Sequence, residues 1–196
     1  MNLTKILTIV IFIGALAVGY LLFDSIDSTI KEEKEIKRVE QMVKDKLGMI
    51  RDAQVAYQGT YGDYADTWEK LISYVDSGKI FLIQRTETIK MLAYGAEEST
   101  ITYDTLGFKM VRDSLFKPED YPNFDPTKLP ELPHAPGKYF SLYAKDSIRS
   151  GVNVDYIEVV DTYPFDRTRK DDAEIENRRP LRFGSRTEIT TAGNWQ

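Results

Sequence analysis

Cysteine is absent from all 196 residues of this chain, and histidine occurs once. The first absence excludes disulfides, thiolate metal sites and cysteine nucleophiles together. The second removes the familiar zinc centres and histidine-based triads, because His134 stands alone between Pro133 and Ala135. A basic surplus is also missing. With 26 Lys and Arg against 31 Asp and Glu, the net charge is -5 and the isoelectric point about 5.1. Nothing is left over to neutralise phosphates, so nucleic acid is not an expected partner. Ser141 and Ser185 lack the context of an activated nucleophile, since Gly184-Ser185 follows Phe183 and the Gly-x-Ser-x-Gly pattern does not occur there. Carboxylates are plentiful, but their spacing selects no acid/base pair. The expectation is a chain that is no enzyme and carries no cofactor.

Charge is missing altogether from residues 6–23, ILTIVIFIGALAVGYLLF, until Asp24 ends the run. As a helix rising about 1.5 Å per residue this stretch spans roughly 27 Å, close to the ~30 Å hydrocarbon core of a bilayer. Apolar all round, it suits lipid better than one side of a core. A cleaved signal peptide is the competing reading, with Lys5 as basic start and Ala15-Leu16-Ala17 as a small-x-small site. Val18 to Phe23 continue the apolar run past that site, which favours an uncleaved, single-pass anchor with the lipid bilayer as its first partner. Lys31, Lys34, Lys37 and Arg38 follow the span but alternate with Glu32, Glu33, Glu35 and Glu40, so the positive-inside count is weak. A short N-terminus before a large body is the layout of a signal anchor that exports that body, and an extracytoplasmic C-terminal domain is expected.

No proline interrupts the chain from its N-terminus to Glu69. Ile36, Val39, Val43, Leu47, Ile50, Ala53 and Tyr57 recur at helical spacing, with KEEKEIKR covering the other face. One long helix from the bilayer to about Gln58 is predicted, weakened only by Gly48, at about 1 kcal/mol relative to alanine. The expected division is a tail at 1–5, the anchor at 6–23, a helical stalk or coiled coil at 24–47 and a globular domain at 48–196. Ile36, Val39, Val43 and Leu47 then form a stripe that nothing in their own domain covers. They are the candidate contact with a second copy or with another single-span membrane protein.

Further along, Gly59 to Tyr64 read as a turn, and Asp66-Thr67-Trp68-Glu69 as a capping box with Asp66 as N-cap. A short helix with Trp68, Leu71, Ile72 and Val75 on one face should stop at Gly78. Residues 80–83 form a β-type run, 85–99 are polar and ambiguous, and 101–111 suggest a short strand or hairpin around Gly107. Six prolines between 118 and 136 suggest an extended excursion across the surface. Residues 139–144 and 154–160 are the clearest strands, expected as a hairpin with a long loop at 145–153. A charge-dense segment at 167–179 and a weak last strand within 181–191 complete the chain. The fold class is α+β: a transmembrane helix continuing into a long amphipathic helix, packed on a small antiparallel sheet.

The order of an apolar helix, its amphipathic continuation, Ile50-Arg51-Asp52-Ala53-Gln54-Val55-Ala56-Tyr57, the turn Tyr61-Gly62-Asp63-Tyr64 and a short helix carrying Leu71 resembles the start of type IV pilins and type II secretion pseudopilins. The resemblance covers roughly the first 75 residues. It implies a structural, non-enzymatic subunit of a bacterial envelope assembly. The chain departs from that pattern in two places: neither Gly14 nor Gly19 precedes Phe, and the apolar run holds no acidic residue. These departures point to a permanently anchored, pilin-like or scaffold component, with a membrane-tethered ligand-binding or sensory module as the alternative. Two weaker clusters remain. Asp161, Asp166, Asp171 and Asp172 offer hard oxygens of the kind calcium takes, as some major pseudopilins do in a late loop. Arg167, Arg169 and Lys170 lie among them, so a self-paired, solvated loop is the plainer expectation. Arg178, Arg179, Arg182 and Arg186 could meet an acidic partner or simply flank an edge strand.

Overall fold

Helix α1 (Leu3–Tyr61) runs unbroken for 59 residues, the longest element of a computed structural model that describes residues 3–91, 97–149 and 151–195. With no proline to break it, α1 is reinforced on its solvated part by local ion pairs four residues apart, Asp27–Lys31 at 2.6 Å and Glu33–Lys37 at 4.0 Å. It passes through Gly59 and ends one turn later than the sequence suggests. Gly62 takes a left-handed φ of +93° and donates its N–H to the Gln58 carbonyl at 2.8 Å.

The chain then folds back, and a single side chain holds the return. Gln54 is fully buried on α1. Its Nε2 donates to the Ala65 carbonyl at 3.0 Å while its Oε1 accepts the Ala65 N–H at 2.9 Å. Helix α2 (Trp68–Ser77) follows and buries Leu71, Tyr74 and Val75. Its N-cap is Thr67, whose side chain accepts from Lys70 N, and not Asp66 as the capping-box pattern suggests. Asp66 is engaged instead by the Lys70 ammonium at 2.7 Å. Gly78 ends α2 as expected, and a Cβ there would lie 2.3 Å from the Tyr74 carbonyl oxygen.

Two antiparallel sheets form where the sequence suggests one. Among the described residues, strands β1 (Lys79–Met91) and β2 (Glu97–Met110) pair only with each other, and their connection lies outside those residues. The ambiguous segment 85–99 is therefore mostly strand, and Gly107 sits inside β2 beside a register shift, not at a hairpin tip. Helix α3 (Val111–Leu115) leads into the proline-rich segment. That segment is no surface excursion, because Phe116 at its start and Leu129 and Leu132 between its prolines are buried. It contains one 3-10 turn at Pro126–Lys128, and Pro130 accepts the Phe140 N–H at 2.9 Å.

Strands β3 (Ser141–Arg149), β4 (Val152–Val160) and β5 (Arg182–Ser185) make the second sheet, in that order. The register Arg149↔Val152 leaves a two-residue connection in place of the long loop expected, with Gly151 at φ +81°. Gly184 requires glycine for two reasons: its φ is +77°, and a Cβ would meet the Ile157 carbonyl oxygen at 2.0 Å. One core joins these parts. Val43, Leu47, Ile50 and Ala53 of α1 cluster with Leu71 and Val75 of α2, Val111 of α3, Leu129 and Leu132, and Ile157, Val159 and Phe183 of the sheet. The architecture is α+β.

Candidate interaction surface

The proposed contact stripe on α1 is the first place to look, and the structure uses most of it internally. Val39, Val43 and Leu47 are buried in the chain's own body, and Ile36 is half-buried. Val43 and Leu47 cluster with α2, α3, the proline-rich segment and the second sheet, and the charge-dense segment after β4 also reaches α1. Arg169 reaches Glu40 across 129 residues, each side chain being less than 15 % exposed. On another side of the helix, Lys46 lies near Glu131 and Asp125 of the proline-rich segment, and burial holds its ammonium below the usual lysine range despite those acids. Burial of α1 side chains starts near Val39, and the exposed stretch of helix before it covers about residues 24–35. Its exposed apolar side chains are Ile26 and Ile30.

Most groups of the weaker candidates are engaged within the chain, although His134 Nδ1 and Arg182 Nε and Nη2 are buried without a hydrogen-bond partner. His134 Nε2 lies 2.8 Å from the Tyr163 carbonyl, and its ring stands edge-on to Phe165. It staples the proline-rich segment to the loop after β4. Among the aspartates, Asp161 accepts the Tyr163 N–H and Asp166 the Thr168 N–H, each at 2.9 Å. No group of three or more acids and histidines converges among the described residues. Of the arginines, Arg179 bonds Ala173 O and Glu176, while Arg182 and Arg186 both reach Glu158, at 3.5 and 2.6 Å. The open groove beside them, about 800 Å³, is lined by these mutually paired charges and by Lys170, Asp171 and Asp172.

A further unpartnered surface projects beyond the core. Strand β1 has 13 residues, so at ~3.3 Å each the β1–β2 ribbon extends about 40 Å. Its base is tied to the body by the Val111 N–H to Gly78 carbonyl bond at 3.0 Å and by Ile80 packed on the core. Beyond Ile80 every described β1 side chain is exposed. The register sorts the two strands into two faces, because side chains of opposed residues point the same way. One face carries the pairs Phe81/Phe108, Ile83/Thr105, Arg85/Tyr103 and Glu87/Ile101, followed by Ile89 and Met91. The other carries Gln84/Asp104, Thr86/Thr102 and Thr88/Thr100, with Thr102 Oγ1 donating to the Thr86 carbonyl at 3.3 Å.

One face of the ribbon is thus the more apolar, interrupted by Arg85 and Glu87 and by Ser99 opposite Ile89, with Glu97 in register with Met91, and its apolar side chains are bare. Phe81, Ile83, Ile89, Met91, Ile101, Tyr103 and Phe108 are between 40 % and 73 % exposed. At the base, the Lys79 ammonium lies 4.3 Å from the Phe108 ring centre, covering part of that face with charge. An isolated two-stranded ribbon is marginal in water, and an apolar stripe beside open strand edges is a template for pairing. The signal was present in the sequence as the period-two series Phe81, Ile83, Arg85, Glu87, Ile89, Met91. Two charges at its centre make it read as polar.

The other bare apolar surface is the N-terminal part of α1. From Ile11 onward the helix is long and apolar enough to cross a membrane, with none of that apolar window buried in the fold. Phe12, Leu16, Leu21 and Phe23 are each at least 60 % exposed. Compared with protein-family models, curated proteins and solved structures, the chain finds no match in any of the three.

Proposed function

We propose that this chain is a non-enzymatic, membrane-anchored structural subunit of a bacterial envelope assembly, pilin-like or of the scaffold type, with its C-terminal domain on the extracytoplasmic side. The observation that carries this reading is the pairing of two bare apolar surfaces on one chain. One, at the N-terminal end of α1, matches the length of a bilayer; the other is a projecting β-ribbon. Apolar area left in water costs about 25 cal/mol per Å², so surfaces of this size fit a chain that works attached to others. The layout shared with pilins and pseudopilins supports the same reading. The test is recovery of full-length protein from membranes in mild detergent, followed by identification of what co-purifies. Stable association with other envelope proteins is expected. A solitary chain that is instead stabilised by a small ligand would favour a tethered sensory module. Protease added to intact spheroplasts should digest the body; protection until lysis would place it in the cytoplasm.

A further inference from the structure

We infer that the free edge of β1 pairs with the β1 edge of a second copy of this chain, antiparallel and centred on Thr86, so that two ribbons join into one four-stranded sheet. This rests on reading the ribbon as a contact surface, and it names the occupant. Strand β1 reads the same way from both ends. About Thr86, residue i stands opposite residue 172 − i. That places Ile83 against Ile89, Arg85 against Glu87, Phe81 against Met91 and Gln84 against Thr88, each pair occurring twice across the two-fold axis. Opposed residues of an antiparallel pair share a face, so the apolar pairs and the ion pairs fall on the bare face and the threonines on the other. Leu82 meets Lys90, whose aliphatic stem can lie along it.

Within one chain Arg85 and Glu87 stand 4.0 Å apart, both largely exposed. In the paired sheet each gains an oppositely charged neighbour directly across the strand. The edge of β2 offers no such match. Residues 99–108 contain Asp104 and no cation, and the register shift at Gly107 interrupts the ladder. Pairing through β1 therefore satisfies the open backbone edge, excludes water from the inner flank of the apolar stripe, and raises the strand count from two to four. Anchors that confine both copies to one plane raise their effective concentration.

The chain has no cysteine, so single cysteines placed in the full-length protein report this geometry without background. Opposed residues lie about 4.5–5.5 Å apart between Cα atoms, within disulfide reach. Thr86→Cys should therefore cross-link to its own copy under mild oxidation in native membranes. Thr88→Cys faces its copy at a distance of about 13 Å along the strand and should cross-link at least ten-fold less. Ile83→Cys and Ile89→Cys should each remain monomeric alone and cross-link when co-expressed. Arg85→Glu should lower Thr86→Cys cross-linking at least five-fold, and adding Glu87→Arg should restore it.

Equal yields at positions 86 and 88, or no rescue by the charge swap, overturn the pairing. Cross-linking of Ile83→Cys with itself means face-to-face packing and overturns the register. Protection of Ile89→Cys from a water-soluble maleimide in vesicles, without any cross-link, assigns the face to lipid and overturns the proposal. If the Thr86→Cys chain stays monomeric yet co-purifies with other envelope proteins, the pairing fails and the subunit reading stands. If it recovers neither a copy nor a partner, both fail.

Discussion

At the scale of single residues, the informative side chains are the buried polar ones, because each must be matched or it costs stability. Gln54 is matched at both ends by one backbone unit, closing the turn between α1 and α2. Gln54→Leu keeps the volume but strands the Ala65 N–H and carbonyl together. Destabilisation of about 2–4 kcal/mol is expected, read as a lower urea midpoint at unchanged slope. Asp161 makes the opposite case. It is 2 % exposed, and burial pushes its carboxyl above the usual range, outweighing the Tyr163 N–H bond and the nearby His134 and Arg169. A carboxyl raised in the folded state holds its proton more tightly there than in the unfolded chain. Its contribution is complete below the unfolded value near 3.8 and is lost as pH climbs through the higher folded value. Asp161→Asn should therefore be more stable than the parent at pH 7, with the difference fading toward pH 3 in urea titrations.

At the scale of elements, α1 and the β1–β2 ribbon exchange the roles their sequences suggest. The helix stripe reads as a seam for a partner but is mostly buried in the core, whereas the ribbon, read as a β-type run, an ambiguous polar stretch and a short strand or hairpin, carries a bare apolar face. Parallel substitutions separate the two. Val43→Asp places a charge at a side chain 1 % exposed and should cost more than about 3 kcal/mol or prevent folding. Ile83→Asp, at a side chain 60 % exposed and remote from the core, should leave the thermal midpoint of the monomeric body within about two degrees, since surface changes fall within ±0.5 kcal/mol. Circular dichroism melts of the two variants check both halves. If both melt alike, the core does not extend up α1 to Val43.

For the whole molecule, the long helix sets the geometry. Between the apolar run and the first buried side chain at Val39 lie 15 residues, roughly 22 Å of helix. That distance would hold the body clear of a headgroup layer while keeping it close to one plane. The full-length protein is expected to resist carbonate extraction from membranes. A chain starting at Asp24 should be recovered in the soluble fraction with the same far-ultraviolet spectrum less one helical segment. Extraction of the full-length chain by carbonate would remove the anchor reading.

Which parts were legible in advance follows from the range of the interactions involved. The uncharged run, the proline-free helix, the stop at Gly78 and the two central strands are set by composition and by neighbours within a few residues, and α+β follows from them. The alternation of β1 was also there to be read, but Arg85 and Glu87 hid it, because a charge on an apolar face looks like a loop until its register partner is known. Burial of Val39 and Val43 could not be read at all. Val43 packs in one cluster with residues as distant as Phe183, and Arg169 meets Glu40 across 129 residues; no local pattern announces contacts of that range. The same holds for Leu129 and Leu132, whose prolines forbid regular structure without saying whether the segment lies on the core or over it. Local chemistry decides which elements a chain can form. Only the closed core decides which apolar faces are used up inside it, and so which, like that of the β-ribbon, stay bare.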